Sequence, residues 1–129
     1  MGYPSAARAY RENEVFAASP AQLLVITFDY LLSQMTRARV GIETKQLAVT
    51  LGGLDRSRVA IGELMATIDP ADTSDLARTL RSIYAFTFSE LIDLGRTHDP
   101  VRLERNLANI RELRTAFATA AQQSHAEVA

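Results

Sequence analysis

Two histidines, His98 and His125, are the only imidazoles in this 129-residue chain, and it has no cysteine. A di-metal helix bundle needs inward carboxylates together with Glu-x-x-His pairs. The residues three positions before these histidines are Gly95 and Gln122, so that chemistry lacks its ligands. Without cysteine there is also no disulfide framework, thiolate metal site or cysteine nucleophile. His98 falls in an expected turn and His125 in the closing segment, where a solvent-exposed, non-catalytic role is expected for each. The carboxylate pairs Glu12/Glu14 and Asp72/Asp75 fall in loops and helix starts, which attract acids for electrostatic reasons alone. Gly52-Gly53 lacks the preceding strand and the following Lys-Ser/Thr of a phosphate loop, and Lys45 stands outside any such motif. The chain therefore reads as neither an enzyme nor a holder of metal or cofactor.

Charge removes further classes. The 14 basic and 15 acidic residues leave a formal net charge of -1. The nearest approach to a basic stripe is Arg102, Arg105, Arg111 and Arg114, offset by Glu104 and Glu112. It lacks the one-signed surface that phosphate-driven binding requires, so neither nucleic acid nor an anionic membrane is expected as a partner. Met1 to Ala9 lacks the apolar core of a signal peptide, and no run reaches the length of a membrane span. A soluble, unexported, single-domain protein is the expectation.

Four helical periods can position whatever surface remains. Leu24, Phe28, Leu31, Met35, Ala38 and Ile42 follow a 4,3,4,3,4 spacing and predict a helix from Pro20 to about residue 42. Its first half carries surplus apolar residues, Leu23, Val25, Ile26, Tyr30 and Leu32, so it is expected to be central or additionally covered. Leu47, Leu51, Leu54, Ile61, Met65 and Ile68 mark the second segment, with Arg58 at the missing heptad position. Gly52, Gly53 and Gly62 each cost a helix interior about 1 kcal/mol relative to Ala. They predict a break or kink at Gly52-Gly53, or else a shallow groove where another chain lies close to the backbone.

Asp69-Pro70 then turns the chain, and Asp72, Thr73 and Ser74 are candidate N-caps. The third helix presents Leu76, Leu80, Ile83 or Tyr84, Thr87 or Phe88, Leu91 and Leu94, with Gly95 expected just beyond its end. Asp99 should cap the fourth helix and Pro100 open it. Leu103, Leu107, Ile110, Phe117 and Ala121 form that helix's seam. Short turns and the absence of a strand pattern predict an all-α, antiparallel four-helix bundle. Residues 1-18 should form an N-terminal arm or short extra helix packing on the bundle, residues 19-123 the bundle, and residues 124-129 a frayed tail.

At the junction of arm and bundle, Ser19, Pro20 and Gln22 have the types and spacing of a capping box with proline at the first helical position. Local structure accounts for those three. It leaves Tyr10, Val15 and Phe16 unexplained, because bulky apolar residues upstream of a helix need either their own core or a partner to cover them.

These residues carry a resemblance. Tyr10, Val15, Ala18-Ser19-Pro20 and Leu23 are similar to "Y-x4-V-x-T-A-S-P-x-x-L", the opening signature of the FliS flagellar secretion chaperones. Phe28-Asp29 stands where that family has Tyr-Asp or Tyr-Asn, and Ile61-Gly62-Glu63-Leu64 resembles its "I-x-E-L". Leu80-Arg81-Ser82-Ile83-Tyr84-Ala85-Phe86 resembles "L-x-x-L-Y-x-Y", and Leu113-Arg114-Thr115-Ala116-Phe117 resembles "L-R-x-A-W". The likeness keeps its order from about residue 10 to residue 117. Departures are Ala17 for Thr, Phe28 and Phe86 for Tyr, Phe117 for Trp, and Ser57, Gly53 and Gly62 in the second helix. A lost phenol removes a hydrogen bond while keeping apolar packing.

The resemblance implies a cytoplasmic chaperone that binds the C-terminal segment of flagellin, prevents its premature polymerisation and supports flagellar type III export. The flagellar export apparatus and other flagellar regulators are further implied partners. Apolar positions beyond the heptad seams are the criterion that nominates Tyr10 and Val15 from the arm, Leu54, Ile61 and Leu64 from the second helix, and Leu80, Tyr84 and Leu91 from the third as the binding surface, with ordinary core as the alternative for each. A helical adaptor or regulatory module, monomeric or homodimeric, that binds another cytoplasmic protein competes with this reading.

Overall fold

The computed structural model describes residues 19–128, with side chains for residues 19–123. Four helices follow one another: α1 (Pro20–Glu43), α2 (Leu47–Ala66), α3 (Asp75–Thr97) and α4 (Pro100–Val128). Their starts are chemically marked. Gln22 N donates to Ser19 Oγ at 3.2 Å while Ser19 N donates to Gln22 Oε1 at 2.7 Å, so the capping box is formed and Pro20 opens α1. Replacing Ser19 with Ala should lower stability by about 1 kcal/mol, read as a shifted denaturant midpoint at unchanged slope. Ser74 Oγ accepts from Ala77 N at the start of α3. Asp99 Oδ1 accepts from Val101 N and Arg102 N at the start of α4.

The helices run up, down, up, down, as cross-links between distant residue numbers show. Arg39 pairs with Glu104 and Asp29 with Arg114, which fixes α1 antiparallel to α4. α1 packs on α2 and α4, and α2 on α3, whereas α3 and α4 touch sparsely. Phe28, Leu31, Met35 and Ala38 of α1 meet Leu54, Ile61 and Leu64 of α2, Tyr84, Leu91 and Leu94 of α3, and Leu103, Leu107 and Ile110 of α4 in one core. The Phe28 ring stacks on Phe117 at 5.3 Å and tilts against Tyr84 at 6.5 Å, joining α1, α4 and α3 near one end.

Several expectations change. α2 is continuous, with no break at Gly52-Gly53. Its buried face is Thr50, Gly53, Leu54, Ser57, Ala60, Ile61 and Leu64, while Leu47 is 59% exposed and Leu51 also faces solvent. The face is rotated from the heptad of large residues because α1 comes close enough for small ones to fill the seam. A Cβ on Gly53 would lie 2.7 Å from both Ala38 N and Gln34 O, and one on Gly41 would lie 2.5 Å from Thr50 N. The chain lying against Gly53 is thus α1 itself, whereas Gly52 faces the side chain of Arg56 and Gly62 has open space around it.

Along α3, Ala77 is buried while Leu76 is 66% exposed, and Tyr84 and Thr87 occupy the core face in preference to Ile83 and Phe88. Gly95 lies inside α3. His98 takes the left-handed C-cap conformation, with φ 51°, and its Nε2 lies 3.0 Å from Gly95 O. The backbone of α4 continues to Val128, through most of the segment expected to fray. Among the described residues, no helix is long and apolar enough to cross a membrane.

Candidate functional site

Where α3 and α4 part, a groove of about 460 Å³ is lined by Ser82, Ile83, Phe86 and Thr87 from α3 and by Asn109, Glu112, Leu113 and Ala116 from α4. Its walls alternate in character because each helix turns through the lining. Ile83 and Leu113 are half-buried, Thr87 is buried, and Phe86 is 56% exposed. Ser82, Asn109 and Glu112 are exposed and supply a polar rim. Such a mixture, apolar anchors bordered by a few polar groups, suits an amphipathic segment better than a small metabolite or an ion.

At the turn end the groove is closed by charge. Arg102 Nε donates to Glu90 Oε1 and Oε2, each at 3.0 Å, and the same guanidinium pairs with Asp93. Asn106 Nδ2 donates to Arg102 O at 3.0 Å and to Glu90 Oε1 at 3.3 Å. These hydrogen bonds from Arg102 hold the carboxyls of Glu90 and Asp93 below their usual ranges, with Asn106 helping at Glu90 and Arg96 at Asp93.

The sign of the resulting pH dependence follows from the lowered values. Both carboxylates stabilise the fold fully above the ordinary carboxylate range, and that contribution disappears as pH falls through the depressed folded-state values. Denaturant midpoints should therefore drop on acidification below the usual glutamate value of 4.5. Arg102→Gln should flatten part of that drop. An identical acid profile in the variant would show that Arg102 does not hold these groups.

The nominated partner-binding residues separate by position. Leu54, Ile61, Leu64, Tyr84 and Leu91 are buried in the core, Tyr84 at 1% exposure. Burial pushes the Tyr84 phenol up to about 12, so it stays neutral. Leu80 is half-buried against the core, one turn from Ile83. Tyr10 and Val15 lie outside the described residues. The structure thus brings together five of the eight within the bundle and puts a different set at the open seam.

Sequence reasoning passed over Ile83, Phe86, Leu113 and Ala116 as surface residues. A signal was present: Phe86 is an aromatic residue off the apolar stripe of α3, and both Phe86 and Ala116 belong to the stretches 80–86 and 113–117 that resemble one family. Those stretches face each other across the groove. A second depression, between α1 and α4, is lined by Arg39, Glu43, Glu104 and Arg105 with Val101. Its ionic groups are largely committed, since Arg39 pairs with Glu43 and Glu104, and Glu104 also with Arg111.

The family model for the flagellar protein FliS matches residues 3–124, which includes both walls of the groove. No match was found among curated proteins.

Proposed function

This chain belongs to the FliS family of flagellar chaperones, and from that premise we propose that it binds the C-terminal segment of flagellin in the cytoplasm. The observation that carries the proposal is the open seam: Ile83 and Phe86 face Leu113 and Ala116 across a groove where two neighbouring helices would otherwise close on each other. A flagellin tail that is disordered before assembly can wrap a small protein and fold on contact, accepting an ordering cost in return for a large buried surface. An amphipathic turn of that tail laid between α3 and α4 would cover Phe86 and supply the packing this seam lacks. Held in that way, the tail is withheld from other subunits and kept in a form that the flagellar type III apparatus can accept.

Within this proposal Leu54, Ile61, Leu64, Tyr84 and Leu91 support the groove from the core, and Leu80 continues its α3 wall. Tyr10 and Val15 stay in the proposal on their sequence context alone. Changing both to Ala should weaken tail binding and leave helicity and melting nearly intact; unchanged affinity would remove the arm from the site. The primary experiment is titration of the purified protein with a flagellin C-terminal peptide. A 1:1 complex at micromolar concentration is expected, and no heat or mobility change at that concentration would sink the flagellin reading.

A further inference from the structure

The seams of this bundle are filled by residues of very different size. Between α1 and α2 the facing positions include Ala38, Gly41 and Gly53, and the backbones approach until a methyl group on either glycine no longer fits. Between α3 and α4 the positions at the turn end are Glu90, Asp93, Arg102 and Asn106, joined through extended side chains. Among the described residues, the bonds of Arg102 and Asn106 are the only side-chain hydrogen bonds linking α3 to α4. The groove starts on the next turn, at Thr87 and Asn109.

Interaxial distance follows the size of the side chains at the contact. The apolar walls above this bridge would lose exposed area if α3 and α4 closed, so closure is favoured by hydration alone. Something must oppose it. The bridge itself is a poor device for stability: Asn106 is 2% exposed and its Oδ1 has no hydrogen-bond partner among the described residues. A partly buried ion pair is often matched or bettered by apolar residues of similar volume.

We propose that the Glu90–Arg102–Asn106 bridge is a spacer that keeps the α3/α4 groove open, which makes these three positioning residues for the segment the groove receives. This rests on the reading of the groove as the site of the flagellin tail. By holding the helices at working separation before the tail arrives, the bridge removes the step of prising them apart, a form of preorganisation.

The test shortens the reach of the bridge as well as removing its charge. In Glu90→Leu/Arg102→Met the bridge becomes apolar while Asp93 keeps Arg96 as a partner. Spin labels on Ser82→Cys and Ala116→Cys, the only thiols in a chain that has no cysteine, report the groove's width. The labelled double variant should show a shorter inter-label distance than its parent, and the unlabelled one should bind the flagellin peptide about tenfold more weakly while melting no lower. Glu90→Gln, which keeps length and loses charge, should leave distance and affinity unchanged even if it melts earlier. Should the apolar pair prevent folding, Glu90→Gln/Arg102→Ala shortens the bridge without leaving Glu90 an unpaired carboxylate.

An unaltered label distance in the double variant overturns the spacer. A shortened distance with unaltered affinity overturns its role in positioning the tail. A parent protein that binds no flagellin peptide refutes the flagellin reading, and the label distance still decides whether the bridge sets the groove.

Discussion

Gly53→Ala destabilises this protein although it puts the better helix former into the middle of α2. Propensity alone favours Ala over Gly by about 1 kcal/mol. The added Cβ, however, would lie 2.7 Å from Ala38 N and Gln34 O and 3.0 Å from Ala38 Cα. All three atoms belong to the α1 backbone, so no rotamer change relieves the overlap. The helices must separate instead, loosening a face of α1 that carries Phe28, Leu31, Met35 and Ala38 in the core. Overpacking of this kind costs about 1–3 kcal/mol and sometimes more, which outweighs the propensity gain. Equilibrium unfolding in denaturant should show a lower midpoint with an unchanged slope.

Gly62→Ala provides the opposite sign from the same chemical change in the same helix. A Cβ there meets nothing within 4 Å. The propensity gain then stands alone, and stability should rise by about 0.5–1 kcal/mol. Gly41→Ala should behave like Gly53→Ala, because its Cβ would press on the backbone nitrogen of Thr50. If Gly53→Ala raised the midpoint as Gly62→Ala does, the close approach of α1 to α2 would be wrong.

These glycines also mark where sequence legibility stopped. The capping box at Ser19, Pro20 and Gln22, the Asp99-Pro100 start, and the stripe from Phe28 to Ala38 could be read directly, since caps and 3.6-residue periodicity are properties of one segment. The buried face of α2 could not be read in that way. A template of large apolar residues selects Leu47 and Leu51, whereas the true seam uses Thr50, Gly53, Ser57 and Ala60, whose smallness signifies core only once α1 is known to lie against them. The groove was harder still, because it exists between α3 and α4 and neither helix alone encodes its width. Phe86 nevertheless announced itself as an aromatic residue off the stripe, and the criterion of looking beyond the seams fits it better than it fits Leu54 or Leu91.

That distinction between seam and surface yields the largest expected effect on binding. Phe86→Ala should weaken binding of a flagellin C-terminal peptide by about 30-fold, corresponding to the loss of about 2 kcal/mol from an aromatic anchor. Its effect on folding should stay within about 0.5 kcal/mol, because the side chain is more than half exposed. Adding Ala116→Glu puts a carboxylate on the opposite wall beside Glu112, where an apolar occupant would have to desolvate it, and should abolish measurable binding.

Two controls separate site from scaffold. Phe88 is also exposed but lies about 200° around α3 from Phe86, since each residue turns the helix by roughly 100°, and Phe88→Ala should leave affinity unchanged. Leu91→Ala removes a fully buried side chain and should cost about 2–5 kcal/mol of stability, while the fraction that remains folded keeps its affinity. Should Leu91→Ala abolish binding at full folded population while Phe86→Ala leaves it intact, the tail would be engaging the bundle interior through a helix displacement, and the α3/α4 groove would not be its site.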